Sequence, residues 1–223
     1  MAYLYCIMGR LGGGKTTAAS FFPHLWRAMV ERKNGSLELF ANYDLAGAHA
    51  FKTYHDWTKV ALAHGSVVVW DEAHRTFDSR KFGDYEHIFA TELLTFVRKF
   101  ASVQIFATPS VNRLDTRIRE IIEILIVARN TPKGTYYDFY DYQADFGGKY
   151  GQFLHSKFLP HFKRKKIHDL QLFDSYMIPR KVTHPKTERE GMKFMEELEI
   201  AHEQGLANSR TRKGIITHEA IAY

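Results

Sequence analysis

The strongest constraint on the fold is one short segment, Gly9-Arg10-Leu11-Gly12-Gly13-Gly14-Lys15-Thr16. It follows the apolar run Tyr3–Met8 and opens a helical pattern over residues 16–33. A glycine-rich loop of this spacing, set between strand and helix and closed by Lys and Thr, is built to hold phosphate groups. Glycines let successive backbone N–H groups turn inward around an anion, an approach that side chains would obstruct. The start of the following helix adds partial positive charge. Lys15 is placed to reach the β- and γ-phosphates of ATP, and the Thr16 hydroxyl to ligate Mg²⁺. The expected nucleotide-binding residues are Gly9, Arg10, Leu11, Gly12, Gly13, Gly14, Lys15, Thr16 and Thr17. Pro23 lies inside the helical pattern and is expected to kink or restart the helix.

Further along, short apolar runs alternate with helical patterns. Strands are expected at Tyr3–Met8, Leu37–Asn42, Val67–Asp71, Val103–Thr108 and Ile121–Ala128, with helices near 16–33, 54–64, 86–100 and 112–120. Alternation of this kind gives an α/β fold, a mostly parallel sheet with helices on both faces. After Pro132 the pattern changes. Residues 134–143, 144–151 and 152–159 read as two strands joined by a glycine turn. A basic run over 161–168 follows, and then a helix near 187–205. The expected organisation is a P-loop ATPase core over residues 1–131. A hairpin, basic segment and helix over 132–223 would pack on it as an appendage.

The strand Ser66-Val67-Val68-Val69-Trp70 ends in two acids, Asp71 and Glu72. The strand beside the phosphate loop is expected to end here, with Asp71 holding Mg²⁺ and Glu72 polarising an attacking water. A small-molecule kinase has no need of the second carboxylate, because its nucleophile is the acceptor. A GTPase would carry Asn-Lys-x-Asp, which Asn112-Arg113-Leu114-Asp115 only approaches. His74 and Arg75 are read as the start of the next loop rather than as chemical groups.

The order phosphate loop, FANYD (40–44), VVVWDEAHRTFDSR (67–80) and QIFATPSVNRLDTRIRE (104–120) resembles the FtsK–HerA group of ring-forming, DNA-pumping ATPases. The resemblance covers roughly residues 1–130. Within the group, the small genome-packaging ATPases of tailless, membrane-containing (tectivirus-like) phages look closest. The Zot-like assembly ATPases of filamentous phages are similar over the same core. The group usually places a Gln at the end of the fourth strand, where this chain has Ala107-Thr108-Pro109-Ser110. Thr108 therefore stands in as the expected γ-phosphate sensor, since Gln104 comes too early. The resemblance also implies an arginine acting across a subunit interface. Arg80, Arg117 and Arg119 are the candidates, and Arg80 is favoured by its loop-like surroundings.

Charge and composition add partners to this reading. The net charge is +6, and residues 157–223 hold 13 Lys/Arg against 9 Asp/Glu. A basic excess of this kind suits a polyanion. Lys163, Arg164, Lys165 and Lys166 are the expected contacts to double-stranded DNA. The aromatic hairpin, which also carries Asp138, Asp141 and Asp145, is read instead as packing or subunit interface. The one cysteine, Cys6, is expected to be a buried strand residue and suits a reducing compartment. No apolar run approaches the roughly 18 to 20 residues of a membrane span, and the N-terminus lacks the marks of a signal peptide. The first functional reading is an ATP-driven DNA translocase, a hexameric or pentameric ring that packages a viral genome. It would work in the host cytoplasm or at a virion vertex, alongside capsid or membrane vertex proteins. The second is a Zot-like ATPase of filamentous phage assembly and export, and the third a P-loop kinase acting on a small molecule.

Overall fold

Every one of the expected apolar runs becomes a strand of one sheet in the computed structural model, which describes residues 3–77 and 85–211. The strands are β1 (Leu4–Met8), β2 (Glu38–Ala41), β3 (His49–Ala50), β4 (Ser66–Trp70), β5 (Ser102–Thr108), β6 (Ile124–Thr131), β7 (Gly134–Asp141) and β8 (Gln152–Pro160). The helices are α1 (Lys15–Glu31), α2 (Asp56–Ala63), α3 (Tyr85–Thr95), α4 (Thr116–Ile121), α5 (His161–Asp169) and α6 (Glu188–Thr211). Strand order is β3-β2-β4-β5-β1-β6-β7-β8. The first six strands in this order run parallel; β7 and β8 are antiparallel additions at one edge. The fold is therefore the expected mostly parallel sheet with helices on both faces. The hairpin strands continue that sheet without a break, so the expected boundary after residue 131 falls in the turn between two paired neighbours, β6 and β7.

One arrangement differs from the sequence expectation. The acid-bearing strand β4 is not beside β1, because β5 lies between them and pairs with both. The most apolar strands thus occupy the middle of the sheet, where both faces are covered. Alternate residues divide between two cores. Val67 and Val69 of β4 face α1, together with Ile7, Ile105 and Ile126. Val68 and Trp70 face α2, α3 and α6, together with Trp57, Phe89, Phe106 and Phe194. Burying a large apolar side chain of this kind contributes about 1.5–3 kcal/mol. Such packing carries α6 onto α2, where Tyr54 and Phe194 meet edge-on at 4.9 Å. Gly205 of α6 lies so close that an added Cβ would sit 2.2 Å from the Ala61 carbonyl oxygen.

Boundaries moved where local chemistry overrode periodicity. The expected helix over 86–100 stops at Thr95, and the chain turns through Ala101 at φ 50° into β5. The Asp115 carboxylate accepts the Arg117 N–H at 2.9 Å and caps α4. Asn112–Asp115 is thus turn-and-cap chemistry, and β6 starts only at Ile124. Pro23 does not end α1, which continues through it to Glu31. The basic run forms a helix of its own, α5, started by Pro160. Cys6 is fully buried, and burial pushes its thiol up to about 12.

Candidate nucleotide site

The phosphate loop joins the end of β1 to α1, and its shape follows from its glycines. At Gly9 a Cβ would stand 2.5 Å from the Ala128 carbonyl oxygen of the neighbouring strand. Gly14 caps α1 at φ 87°, a left-handed conformation that other residues adopt at a cost. The Arg10 carbonyl accepts from Gly13 N–H at 2.9 Å and from the Lys15 ammonium at 3.1 Å, which holds Lys15 folded over the loop. Leu11, at the loop's apex, is 97% exposed.

The loop is held from below by β6 and β7. Tyr137 Oη donates to the Gly14 carbonyl at 3.0 Å, and Asn130 Nδ2 donates to the Gly12 carbonyl at 3.5 Å. These bonds turn the Gly12 and Gly14 carbonyls towards the strands and away from the side on which an anion would lie. Periodicity in the hairpin shows that Tyr137 is buried but not what its hydroxyl touches, so this support was not legible in the sequence.

The two acids come to the loop from β4. Thr16 Oγ1 lies 3.2 and 3.4 Å from the two Asp71 carboxylate oxygens, across the intervening β5. Asp71 is 7% exposed, and burial pushes its carboxyl up to about 6; the Glu72 carboxylate adds to this, while the Glu72 N–H, Thr16 and Lys15 oppose it. A buried carboxylate and a hydroxyl, both hard oxygen donors, stand side by side here. That is the donor chemistry of Mg²⁺, which keeps waters and phosphate oxygens as its remaining ligands. Thr16 and Asp71 would hold the ion.

Glu72 follows with φ 47° and ψ 44°, a left-handed conformation rare for a residue other than glycine. Such backbones cost about 1–3 kcal/mol and persist where their surroundings enforce them. Its N–H donates to Asp71 Oδ1 at 3.0 Å, and its carbonyl accepts from Arg75 N–H at 2.8 Å. Its carboxylate stands 3.3 Å from His74 Nδ1, so His74 borders the site that the sequence left it out of.

The enforcing contact comes from Asn42, just beyond β2. Its Oδ1 accepts from Asp71 N–H at 2.8 Å and its Nδ2 donates to the Asp71 carbonyl at 2.9 Å. The same Nδ2 lies 3.4 Å from the Arg180 carbonyl. Asn42 belongs to the FANYD segment, yet the sequence assigned it no role. A buried amide at a strand end has to find partners, and that was the only available signal.

The remaining expected residues fall at different distances from this centre. Thr108 is fully buried at the end of β5, in register with Met8, and its hydroxyl donates to the Ser110 carbonyl at 3.2 Å. Gln104 serves the core, accepting from Trp70 Nε1 and donating to Ser102 Oγ. Arg80 lies outside the described residues. Arg117 is bound through two guanidinium nitrogens to Asp115, and Arg119 donates to Thr116 Oγ1 at 2.7 Å. On α5, Lys163, Lys165 and Lys166 are exposed. Arg164 turns inward to Asn130 Oδ1 at 3.1 Å and Thr135 Oγ1 at 3.4 Å, one residue removed from the phosphate loop. The basic run is therefore three outward charges and one inward.

The sequence matches the family profile of the zonular occludens toxin, Zot, over residues 25–153, more than half of the chain. The chain belongs to the Zot family. The match begins beyond the phosphate loop and includes both acids. Among solved structures, the N-terminal domain of the Neisseria meningitidis Zot is similar at 19% identity. It aligns with 78% of this chain and 100% of its own length, with a TM-score of 0.52. The genome packaging NTPase B204 of Sulfolobus turreted icosahedral virus 2, in complex with sulfate, is 15% identical over 63% of this chain and 91% of its own, with a TM-score of 0.46. A search of curated proteins finds no match. The chain is thus a P-loop NTPase of the Zot family. Among its described residues no helix is long and apolar enough to cross a membrane.

Proposed function

We propose that this Zot-family chain hydrolyses ATP with Glu72 as general base and uses the cycle to move DNA in phage assembly and export. The observation that carries the chemistry is the meeting of Thr16 and Asp71 across β5, with Glu72 held next to them in an enforced backbone conformation. Lys15 exchanges the Arg10 carbonyl for the β- and γ-phosphates, and the N–H groups of Gly12 and of Gly14–Thr16 bind the rest. Thr16 and Asp71 would hold Mg²⁺, which would neutralise phosphate charge. Glu72 takes a proton from water as the water oxygen bonds to the γ-phosphorus and the bond to the ADP oxygen breaks. Leu11, standing free at the loop's apex, supports a site completed by a second copy in a ring. An arginine from that copy, with Arg80 the favoured residue, would stabilise the transferring phosphoryl group.

Family membership favours assembly and export over packaging into a preformed capsid. The three outward lysines of α5 support a DNA partner, which would be gripped through its phosphates. The test is the rate of ATP turnover with and without double-stranded DNA, for the parent and for Glu72→Gln. DNA should raise the parent's rate, and Glu72→Gln should bind ATP while hydrolysing it roughly 10²-fold more slowly. Turnover that ignores DNA would remove the translocation reading, and an active Glu72→Gln would remove the general base.

A further inference from the structure

The turn at Asp71–Glu72 has an unusual support. A left-handed, non-glycine residue must be held by its surroundings, and both peptide groups of the preceding Asp71 end on one side chain. Asn42 is 1% exposed and offers the Asp71 N–H an acceptor and the Asp71 carbonyl a donor, at 2.8 and 2.9 Å. This amide acts as a clamp whose two arms fix the peptide planes on either side of Asp71, the second of which leads into Glu72. Neither arm touches the phosphate loop.

The clamp is itself anchored to a distant stretch of chain. Arg180 N–H donates to the Asn42 carbonyl at 2.7 Å, and the Arg180 carbonyl lies 3.4 Å from Asn42 Nδ2. Arg75, three residues beyond Glu72, donates to the Pro179 carbonyl at 3.2 Å. Nearby, Thr183 N–H bonds the Lys52 carbonyl, Tyr54 N–H bonds the Thr183 carbonyl, and Val182 is 1% exposed. Arg180 also forms an ion pair with Asp44. Residues 179–183 therefore lie as a strap past the ends of β2 and β3, and Asn42 joins that strap to the turn that carries the two acids.

We infer that Asn42 is a positioning residue for hydrolysis, fixing Glu72 through the Asp71 peptide groups and linking its placement to the strap over residues 179–183. The inference rests on the reading of Glu72 as the general base. Loss of the clamp frees the turn to relax from its left-handed conformation. The carboxylate then moves away from the attacking water, while the phosphate loop keeps its shape.

The test compares Asn42→Ala with Ser66→Ala in the whole chain. Ser66 is fully buried at the opposite end of β4 and loses one buried hydrogen bond, to Ser102 at 2.9 Å, without touching the turn. Melting temperature, affinity for an ATP analogue and kcat are measured for both. A misplacement near 1 Å costs on the order of 10²-fold, so Asn42→Ala should lower kcat at least about tenfold with analogue affinity within about threefold of the parent. Ser66→Ala should keep kcat within about twofold despite its lower melting temperature. If Asn42→Ala does not fold, Asn42→Ser keeps a polar group at the site and should show the same split between kcat and affinity. Addition of Asn42→Ala or Asn42→Ser to Glu72→Gln should lower the residual rate little further, because the clamp acts through Glu72. A kcat for the Asn42 variants that falls no more than that of Ser66→Ala, or a full multiplicative loss in the Glu72→Gln background, overturns the inference. An active Glu72→Gln alone would instead overturn the general-base reading on which it rests.

Discussion

Replacing Asp71 by Asn removes a buried charge while keeping the shape of the side chain. An Asn carboxamide oxygen still accepts the Glu72 N–H, and its amide still meets the Thr16 hydroxyl, which can accept as well as donate. What disappears is the cost of ionising a carboxyl that burial holds at about 6, against an ordinary value of 3.8. Because the folded value is the higher one, the protonated group stabilises the fold below about pH 4. That stability is lost as pH rises towards 6, where the folded group ionises. About two pKa units correspond to roughly 3 kcal/mol. Without nucleotide or Mg²⁺, Asp71→Asn should therefore melt above the parent at pH 7.5, by roughly 5–10 °C for a chain of this size. Near pH 4 the two should melt together. With Mg²⁺ and ATP the order should reverse, since the parent gains the ligand's binding energy and the variant lacks a carboxylate for the ion. Scanning calorimetry at the two pH values, with and without ligand, reads all of this. An Asp71→Asn protein that melts at or below the parent at pH 7.5 without ligand would refute the reasoning.

Three further outcomes are expected. Lys15→Ala should abolish ATP binding measured by calorimetry, because the phosphate charge loses the ammonium now parked on the Arg10 carbonyl; affinity within a few-fold of the parent would count against the site. Tyr137→Phe removes one hydrogen bond to the loop, worth about 1 kcal/mol, and should weaken ATP binding about fivefold; unchanged affinity would mean that the loop keeps its shape unaided. Changing Lys163, Lys165 and Lys166 together to Gln should flatten the salt dependence of DNA binding by about 2 to 3 in slope. Arg164→Gln should leave that slope alone and shift nucleotide affinity instead, and a flattened slope there would show that Arg164 faces the DNA.

The phosphate loop and the acid pair were legible because each is local: a fixed spacing of residues, bounded by a strand on one side and a helix or turn on the other. The parallel strands were legible for the same reason, as uninterrupted apolar runs. What the sequence concealed is the lateral order of those strands. Pairing β5 between β4 and β1 depends on crossovers that no local pattern records. Contacts made at long range were hidden too, such as those of Asn42 with Asp71, Tyr137 with Gly14, and Arg164 with Asn130. Each involves a polar group on an otherwise apolar or charged stretch, and its partner is fixed by tertiary packing alone. The helical state of residues 161–169 was missed because a run of like charges obscures its periodicity, leaving Ile167 as the one buried residue of the helix.

The interposed strand also has a metrical consequence. Adjacent strands of a sheet stand about 4.8 Å apart, so β1 and β4 are separated by about 10 Å, with β5 filling the interval. The loop leaving β1 and the acids leaving β4 thus face each other across a slot one strand wide. The floor of that slot is the end of β5, Thr108 to Ser110. Whatever the sheet itself presents to a terminal phosphate lying in the slot comes from this floor. The width of the slot is set by the backbone hydrogen bonds of β5 to both neighbours, so bulk added to Phe106 or Ala107 would press on the helices packed above and below the sheet and leave the two walls where they stand.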